Sequence, residues 1–289
     1  FHDAGLPPGV LNLVFGVPSD ISEHLTPQPT VRLVTFTGSI PVGKRLAELA
    51  GRHMKPAIME LGGHAPVIVC DDTNPERSAA TSVIGKSRNA GQVCVSPTRF
   101  FVHEKNYQAF LATFAEKAKA LKVGDGLDES NQMGPLANHR RIEAMEAFVA
   151  DAKDKGAKIM AGGSRIGNRG YYFPLTVLAD VPDTARVMSE EPFGPLAIVN
   201  PVKSLDEAIE KANALPYGLA AYAFTNSARY AEELAERVEA GNLSINHLTA
   251  SIAETPFGGV KESGYGREGG TEGLECYTVV KNVSHLMAQ

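Results

Sequence analysis

The chain has 289 residues and a formal net charge of -5, because 33 Asp and Glu outweigh 28 Lys and Arg. That mild acidity argues against a nucleic-acid-binding or anionic-membrane surface, since both need concentrated positive charge. Hydrophobic residues make up 43% and charged residues 21%, which is typical of a globular protein. No apolar run approaches the ~20 residues that span a bilayer, so no membrane association is expected.

The predicted elements alternate between strands and helices along the chain. Strands are predicted at 9–15, 31–36, 57–61, 65–69, 99–102, 158–160, 175–178, 196–201, 221–225 and 243–245. Helices are predicted at 41–49, 74–86, 105–121, 140–155, 205–214 and 229–239. Strands separated by helices in this way predict an α/β fold with a parallel sheet.

The two ends of the chain carry separate predictions. The first residue is Phe1 rather than Met, and residues 1–5 read like the end of a helix that closes on Gly5, so we expect a part of a longer polypeptide. At the other end, residues 276–285 are rich in β-formers and follow a glycine-dense run. A strand there needs a sheet to join, which is either its own or that of a partner subunit.

Three cysteines limit the chemistry and the compartment. Cys70, Cys94 and Cys276 lie too far apart for a metal-binding pair, and their odd number fits poorly with a secreted disulfide framework. We therefore predict no metal site and a reducing, cytoplasmic location. The ordinary interpretation of a free cysteine is a small buried hydrophobe, and Cys70 and Cys276 are assigned to that class.

Three positions could carry chemistry, although each is weak evidence alone. Cys94 follows Gly91 and Gln92 on a loop that a ligand can approach, but a structural thiol is the commoner case. Glu60 ends an apolar strand, where a carboxylate is costly unless it is paired, hydrated or functional. Ser39 lies between a strand and a helix, where phosphates bind in α/β folds and where ordinary helix caps also occur.

Taken together and in order, the motifs are far more specific. They are FTGSIPVG (36–43), MELGG (59–63), NAGQVC (89–94), EEPFGP (190–195), PYGLAAYAFT (216–225) and PFGGVKESGYGREGG (256–270). Their order and spacing over essentially the whole chain resemble the aldehyde dehydrogenase superfamily. The resemblance implies an oxidoreductase that uses NAD or NADP, with a partial Rossmann-like cofactor domain at 1–62 and a catalytic α/β domain at 63–262. It also implies a return segment and an oligomerisation strand at 263–289, in a homodimer or homotetramer.

The resemblance assigns the two chemical roles. Cys94 matches the thiolate that attacks the aldehyde carbonyl, and the resulting adduct becomes a thioester as hydride leaves for the nicotinamide. Glu60 matches the general base that activates water to release the carboxylic acid. The oxyanion of the adduct is expected to bind the Cys94 backbone N–H and an Asn that lies upstream of Phe1.

The remaining site residues are also carried over by motif. Gly38 and Ser39 match the pyrophosphate contact, and Leu61 lies in a motif beside the cofactor. Glu191 matches the acid that holds the nicotinamide ribose, and Phe193 matches the aromatic residue against the nicotinamide. The determinants of NAD or NADP preference are expected upstream of Phe1.

Three further residues match positions of the family, and two positions differ from its usual pattern. Glu268, in the GREGG run, matches a carboxylate that contacts the catalytic residues and not the substrate itself. Arg88 and Ser251 match positions that bind the distal carboxylate in succinate-semialdehyde dehydrogenases, since an Arg fork suits a carboxylate. The residue after the double glycine is His64 where Lys or Asn is usual. Ser96 replaces a second cysteine that serves some relatives as a redox switch.

Succinate semialdehyde is therefore the predicted substrate, and several alternatives stay open. Arg88 could instead form a helix-end salt bridge and Ser251 could be a loop hydroxyl, in which case an apolar aldehyde would fit. The semialdehydes of 2-oxoglutarate and glutarate are the next candidates. Two other classes remain: a thiol hydrolase that pairs Cys94 with a histidine, and a catalytically incomplete fragment.

Overall fold

The structure is a computed structural model, and it describes residues 1–287. The helices are α1 (Pro18–Leu25), α2 (Ile40–Arg52), α3 (Pro75–Ser87), α4 (Glu104–Ala120), α5 (His139–Asp154), α6 (Arg186–Ser189), α7 (Leu205–Asn213), α8 (Ala228–Arg237) and α9 (Glu272–Glu275). The strands are β1 (Val34–Thr37), β2 (Ala57–Glu60), β3 (Pro66–Val69), β4 (Arg99–His103), β5 (Lys158–Ala161), β6 (Thr176–Ala179), β7 (Leu196–Val202), β8 (Ala220–Phe224), β9 (Asn242–Ile245) and β10 (Gly264–Tyr265).

A seven-stranded sheet forms the larger part of the molecule, in the order β5-β6-β7-β4-β3-β8-β9. All neighbouring pairs are parallel except β5 with β6. The central strands are buried along their whole length because helices cover both faces, and this explains their unbroken apolar runs. Phe100, Phe110 and Phe114 pack together between β4 and α4 at the centre of the core. The predicted α/β fold class is confirmed.

A second sheet has three short strands in the order β1-β2-β10. β1 pairs parallel with β2, and β10 returns antiparallel from the far end of the chain, so that Gly264 lies opposite Glu60. The seven strands of the larger sheet all fall within 63–262, whereas this small sheet combines residues before 63 with residues after 262. The domain limits remain a prediction, and the last two residues of the 263–289 segment lie outside the described residues.

Two predicted strands are not formed in this structure. Residues 9–15 are turns and coil with exposed side chains. Residues 276–285 are a turn and coil that pair with no strand within residues 1–287, so pairing with the sheet of a partner subunit stays a prediction. Both segments were predicted from apolar or β-branched composition. A strand needs a neighbour to complete its hydrogen bonds, and composition does not say whether one is present.

The loops that carry the sequence motifs share one edge of the large sheet. Gly63 precedes β3, Cys94 precedes β4, Glu191 precedes β7 and Tyr217 precedes β8. Because these strands are parallel, their amino ends lie along the same edge, and the four loops meet there. Among residues 1–287, no helix is long and apolar enough to cross a membrane.

Candidate active site

The loop that carries Cys94 has an unusual backbone. After α3 ends, Asn89, Ala90 and Gly91 all adopt positive φ angles of 49°, 53° and 69°. A Cβ on Gly91 would lie 2.2 Å from the Gly194 carbonyl oxygen, so a glycine is required by both conformation and space. The Gln92 side chain ties the loop to the next segment by accepting from the Ala137 N–H at 2.8 Å. Such strain persists only where the surrounding structure holds it, which is common at functional sites.

The Cys94 thiol is half-buried and lies among carboxylates. Burial is the main cause that raises the pKa of the thiol. The charge of Glu191 and, to a smaller extent, that of Glu60 raise it further. The backbone N–H groups of Cys94 and Val95 act in the opposite direction, because they donate to the sulfur and stabilise its thiolate. The arrangement therefore keeps the nucleophile largely as the thiol until a base accepts its proton or a nearby positive charge stabilises the thiolate.

Glu60 is a buried carboxyl group at the end of β2, with 4% of its surface exposed. Neither of its carboxylate oxygens has a hydrogen-bond partner within the described residues. Burial is the main cause that raises its pKa to about 8, the Glu268 charge adds to the rise, and Arg267 opposes it. A carboxyl without a partner and with a pKa near neutrality has the properties of a general base.

Close backbone contacts bring these groups into one cluster. A Cβ on Gly63 would lie 2.9 Å from the Cys94 carbonyl oxygen, and one on Gly62 would lie 2.4 Å from Glu191 Oε2. The segment just after Glu60 thus packs directly on the Cys94 loop and on the third carboxylate. The structure brings Cys94, Glu60 and Glu191 together, and the charges of both carboxylates raise the pKa of Cys94.

Glu191 occupies the space left by the double glycine. Its Oε1 accepts a long hydrogen bond of 3.3 Å from the Gly63 N–H. Burial raises its pKa to about 7, against the lowering effects of the Gly63 N–H, Lys86 and Arg141. Arg141 also donates to the carbonyl groups of Pro192 and Phe193. Phe193 has a positive φ of 43° and an exposed ring, as a residue that packs against a ligand would.

The predicted phosphate contact lies on the small sheet. The Gly38 N–H donates to the Glu60 carbonyl oxygen at 3.0 Å, so the turn before α2 is held beside the general-base candidate. Ser39 is the exposed N-cap of α2. Leu61 is buried, and its side chain packs against Gly43 in the first turn of that helix.

A groove of about 840 Å³ runs between α1 and α2. Its walls include Phe36, Val42 and Leu46, and all of its lining residues lie between 14 and 52. Val42 and Leu46 are one helical turn apart on α2, so they form one apolar face just beyond the helix start. The groove belongs to the small-sheet region and is separate in sequence from Glu60 and Cys94.

The two predicted substrate contacts flank the end of α3. Arg88 is exposed. Its charge lowers the pKa of Tyr222, whereas the charge of Cys94 raises the pKa of the same residue. Ser251 lies on the exposed loop after β9, and that loop starts against α3, where a Cβ on Gly85 would lie 2.3 Å from Leu248. Both side chains are exposed, so both are open to a ligand.

Glu268 and His64 complete the predicted positions. Glu268 exchanges two backbone hydrogen bonds with Phe257. Its side chain is exposed, and its charge raises the pKa of Glu60. His64 is buried, donates from Nε2 to the Val187 carbonyl oxygen at 2.9 Å, and lies edge-on to Tyr217. Burial and the nearby Arg99 and Lys86 charges hold its pKa well below the usual range, so His64 is neutral.

Sequence reasoning missed two residues that support the Cys94 loop. Lys86 is fully buried in α3, and Tyr222 in β8 donates to the Val95 carbonyl oxygen. A signal for Lys86 was present, because Ser78, Ser82 and Lys86 are spaced four residues apart and share a helix face that proves to be buried. Tyr222 gave no comparable signal, since an aromatic residue is ordinary in a buried strand.

Comparisons with known proteins agree with this architecture. The model of the aldehyde dehydrogenase family matches residues 1–283. A 4-(hydroxymethyl)benzenesulfonate dehydrogenase of Comamonas testosteroni is 51% identical over 281 residues, which are 97% of this chain and 58% of that protein. A succinate-semialdehyde dehydrogenase of Paenarthrobacter nicotinovorans is 42% identical over 282 residues, which are 97% of this chain and 63% of that protein.

A solved structure matches equally well. Succinate-semialdehyde dehydrogenase from Burkholderia pseudomallei superposes with a TM-score of 0.94 at 41% identity, covering 97% of this chain and 58% of that one. The chain thus spans about three fifths of the relatives that it matches. Since the motifs, the fold and the identity all agree over nearly its whole length, the chain belongs to the aldehyde dehydrogenase family.

Proposed function

We propose that this chain carries the nucleophile and the general base of an NAD(P)-dependent aldehyde dehydrogenase. The observation that supports this most is the convergence of Cys94 with Glu60, a buried carboxyl whose oxygens have no protein partner within the described residues. Burying such a group costs free energy, so its retention at a reactive thiol favours a chemical role. The convergence also argues against a thiol hydrolase that pairs Cys94 with a histidine.

Cys94 and Glu60 are assigned the two chemical steps, attack on the aldehyde and hydrolysis of the thioester. Cys94 gives its proton to solvent, its sulfur bonds to the aldehyde carbon, and the C=O π bond breaks so that the carbonyl oxygen takes the negative charge. The Cys94 backbone N–H would stabilise that charge. Once the adduct has been oxidised to the thioester, Glu60 takes a proton from water and the hydroxide adds to the thioester carbonyl. The C–S bond then breaks, which returns the Cys94 thiolate and releases the carboxylic acid.

The residues present fit a dinucleotide cofactor. The exposed Ser39 at the start of α2 and the N–H groups of the first turn suit a pyrophosphate, and the apolar groove beside Val42 and Leu46 suits a base. Glu191 would then hold the ribose at the nicotinamide end, with Phe193 against the ring. When bound, NAD(P)⁺ supplies the hydride acceptor for the oxidation.

The test is to trap the acyl intermediate. Glu60→Gln should accumulate a thioester on Cys94 and show a burst of NADH or NADPH followed by slow turnover, because attack is retained and hydrolysis is lost. Peptide mass spectrometry would locate the adduct. Cys94→Ala should give neither adduct nor turnover, while Cys276→Ala should behave as the wild type. An adduct on another residue, or normal turnover of Cys94→Ala, would contradict the proposal.

For the substrate, we propose an aldehyde with a distal anion, and succinate semialdehyde first. Arg88 is exposed on the Cys94 side of the fold, and the loop with Ser251 starts beside the same end of α3. An exposed guanidinium six residues before the thiol in sequence suits a carboxylate held two carbons from the reacting centre. Glutarate and 2-oxoglutarate semialdehydes are longer candidates of the same class.

A second candidate is an aldehyde that carries an arenesulfonate. The 51% identical relative is named for 4-(hydroxymethyl)benzenesulfonate, and the 42% identical relative for succinate semialdehyde, so both names contain an anion distant from the reacting carbon. Values of kcat/KM for succinate semialdehyde, 4-formylbenzenesulfonate and propanal would rank the candidates. A preference for propanal would contradict an anion-binding pocket.

We also propose that the chain works as a homodimer or homotetramer. Residues 277–287 expose several apolar side chains: Tyr277, Val279, Val280, Val283, Leu286 and Met287. Exposed apolar segments without a sheet partner are suited to adding a strand to another subunit. Sedimentation of the wild type and of a chain truncated after Glu275 would test this, and a monomeric wild type would contradict it.

A further inference from the structure

The segment that follows Cys94 is held from beneath by two buried side chains. Tyr222 is 1% exposed, and its hydroxyl donates to the Val95 carbonyl oxygen at 2.6 Å. Lys86 is 0% exposed, and its ammonium donates to the hydroxyls of Ser96 at 3.0 Å and Thr98 at 3.2 Å. These bonds restrain the residues closest to the thiol on its carboxyl side.

Lys86 is a costly choice for such a position. Within residues 1–287 it forms no ion pair, and its bonded acceptors are neutral hydroxyls. Burial lowers the pKa of Lys86 to about 7, against the opposing charge of Glu191, so placing this side chain here is destabilising unless its donors serve a purpose. Thr98 in turn donates to the Ser96 carbonyl oxygen at 2.9 Å, so the ammonium completes a small network at the base of the loop.

Val95 connects this network to the thiol. Its N–H is one of the two backbone donors that lower the pKa of Cys94, and its carbonyl group is the acceptor held by Tyr222. Ser96 adds a turn bond from its N–H to the Val93 carbonyl oxygen at 2.9 Å. The backbone that follows the thiol is therefore held on both sides of Val95.

We propose that Tyr222 and Lys86 are positioning residues, which hold the backbone that follows Cys94 through the Val95 carbonyl and the Ser96 hydroxyl and so fix the position of the thiol. The proposal rests on the proposed role of Cys94 as nucleophile. It adds a source of thiolate stabilisation that lies outside the motifs around Cys94 and Glu60. Neither side chain touches the substrate or the reacting atoms.

The experiment measures the rate of Cys94 alkylation by iodoacetamide against pH, in the full chain with Cys276→Ala and with peptide mass spectrometry to identify the site. Tyr222→Phe removes only the hydroxyl. We expect the alkylation midpoint to rise, so that the rate near neutral pH falls about threefold, while the plateau at high pH is unchanged. Tyr107→Phe is the matched control, since it removes a buried hydroxyl bonded to Asp180, far along the sheet.

Ser96→Ala tests the second anchor without changing any charge. Replacing Lys86 itself would also alter the charge acting on Glu191, and hence on Cys94. We expect Ser96→Ala to shift the midpoint in the same direction as Tyr222→Phe, and it decides the question if Tyr222→Phe does not fold. An unchanged midpoint in the folded variants, or an equal shift in Tyr107→Phe, would overturn the positioning role. Failure of Cys94 to react faster than Cys276 in the wild type would instead contradict the proposed nucleophile.

Discussion

The two sheets of this molecule differ in how completely they are covered. The central strands of the large sheet are buried throughout, whereas β1 alternates between half-buried and exposed residues and α1 buries no residue. The large sheet positions Cys94 and Glu191 from its loops, while the small sheet positions Ser39 and ends at Glu60. We infer that the large sheet supplies stability and the thiol chemistry, and that the small sheet serves the cofactor.

The largest difference should appear in stability. Phe114→Ala removes a ring with no exposed surface that packs on Phe100 at 5.2 Å, and we expect a loss of about 3–5 kcal/mol in the free energy of unfolding. Phe15→Ala removes a ring that is 88% exposed beside the small sheet, so the change should stay within about 0.5 kcal/mol. Urea unfolding measures both. Similar losses would mean that the regions contribute equally.

The next difference concerns substrate recognition at the edge of the large sheet. Arg88→Leu removes the exposed guanidinium, and we expect kcat/KM for succinate semialdehyde to fall by about 2–4 kcal/mol of transition-state stabilisation. Propanal has no distal anion, so its kcat/KM should change far less. Steady-state kinetics on both aldehydes makes the comparison. Equal losses would show that Arg88 supports the fold instead.

Glu60, at the junction of the two regions, should make stability depend on pH. Its pKa rises from 4.5 to about 8 on folding, so the folded state binds the proton more tightly. The stability that this proton contributes is complete below pH 4.5 and is lost as the pH rises to about 8. As the pH rises through that range, the free energy of unfolding of Glu60→Gln should therefore increase by about 1–3 kcal/mol relative to that of the wild type.

Chemical unfolding at several pH values would measure the gain. The control is Glu236→Gln, on the exposed face of α8, which should show a constant difference from the wild type. A constant difference for Glu60→Gln as well would mean that the Glu60 carboxyl is as well solvated in the folded state as in the unfolded one.

The smallest effect should come from the small sheet. Ser39→Ala removes one hydroxyl at the start of α2, and we expect KM for the dinucleotide to rise about fivefold, close to 1 kcal/mol. The rate of Cys94 alkylation without cofactor should not change, because the hydroxyl lies on the other sheet. A slower alkylation would contradict the division of roles between the sheets.

The alternation of strands and helices was enough to predict the α/β fold class, and the order of the motifs made Cys94 and Glu60 the candidates for the site. It could not predict that both Glu60 oxygens lack partners, because that depends on how β10 and residues 258–268 return against β2. The prediction of a strand at 9–15 was wrong for a related reason. An apolar run indicates that burial is favourable, but it does not indicate that a neighbouring strand is present. Lys86 was missed because a lysine in a helix is normally assigned to the solvent face.

The placement of the motif loops at the amino ends of the parallel strands leaves the opposite edge of the sheet free for other uses. There, β7 ends next to Lys203, an exposed residue just before α7, and β8 ends at a turn that Asp72 and Asn226 hold by hydrogen bonds. A fluorophore or a solid support coupled through Lys203 would point away from the thiol. The chain could then be immobilised through that edge with access to Cys94 unobstructed.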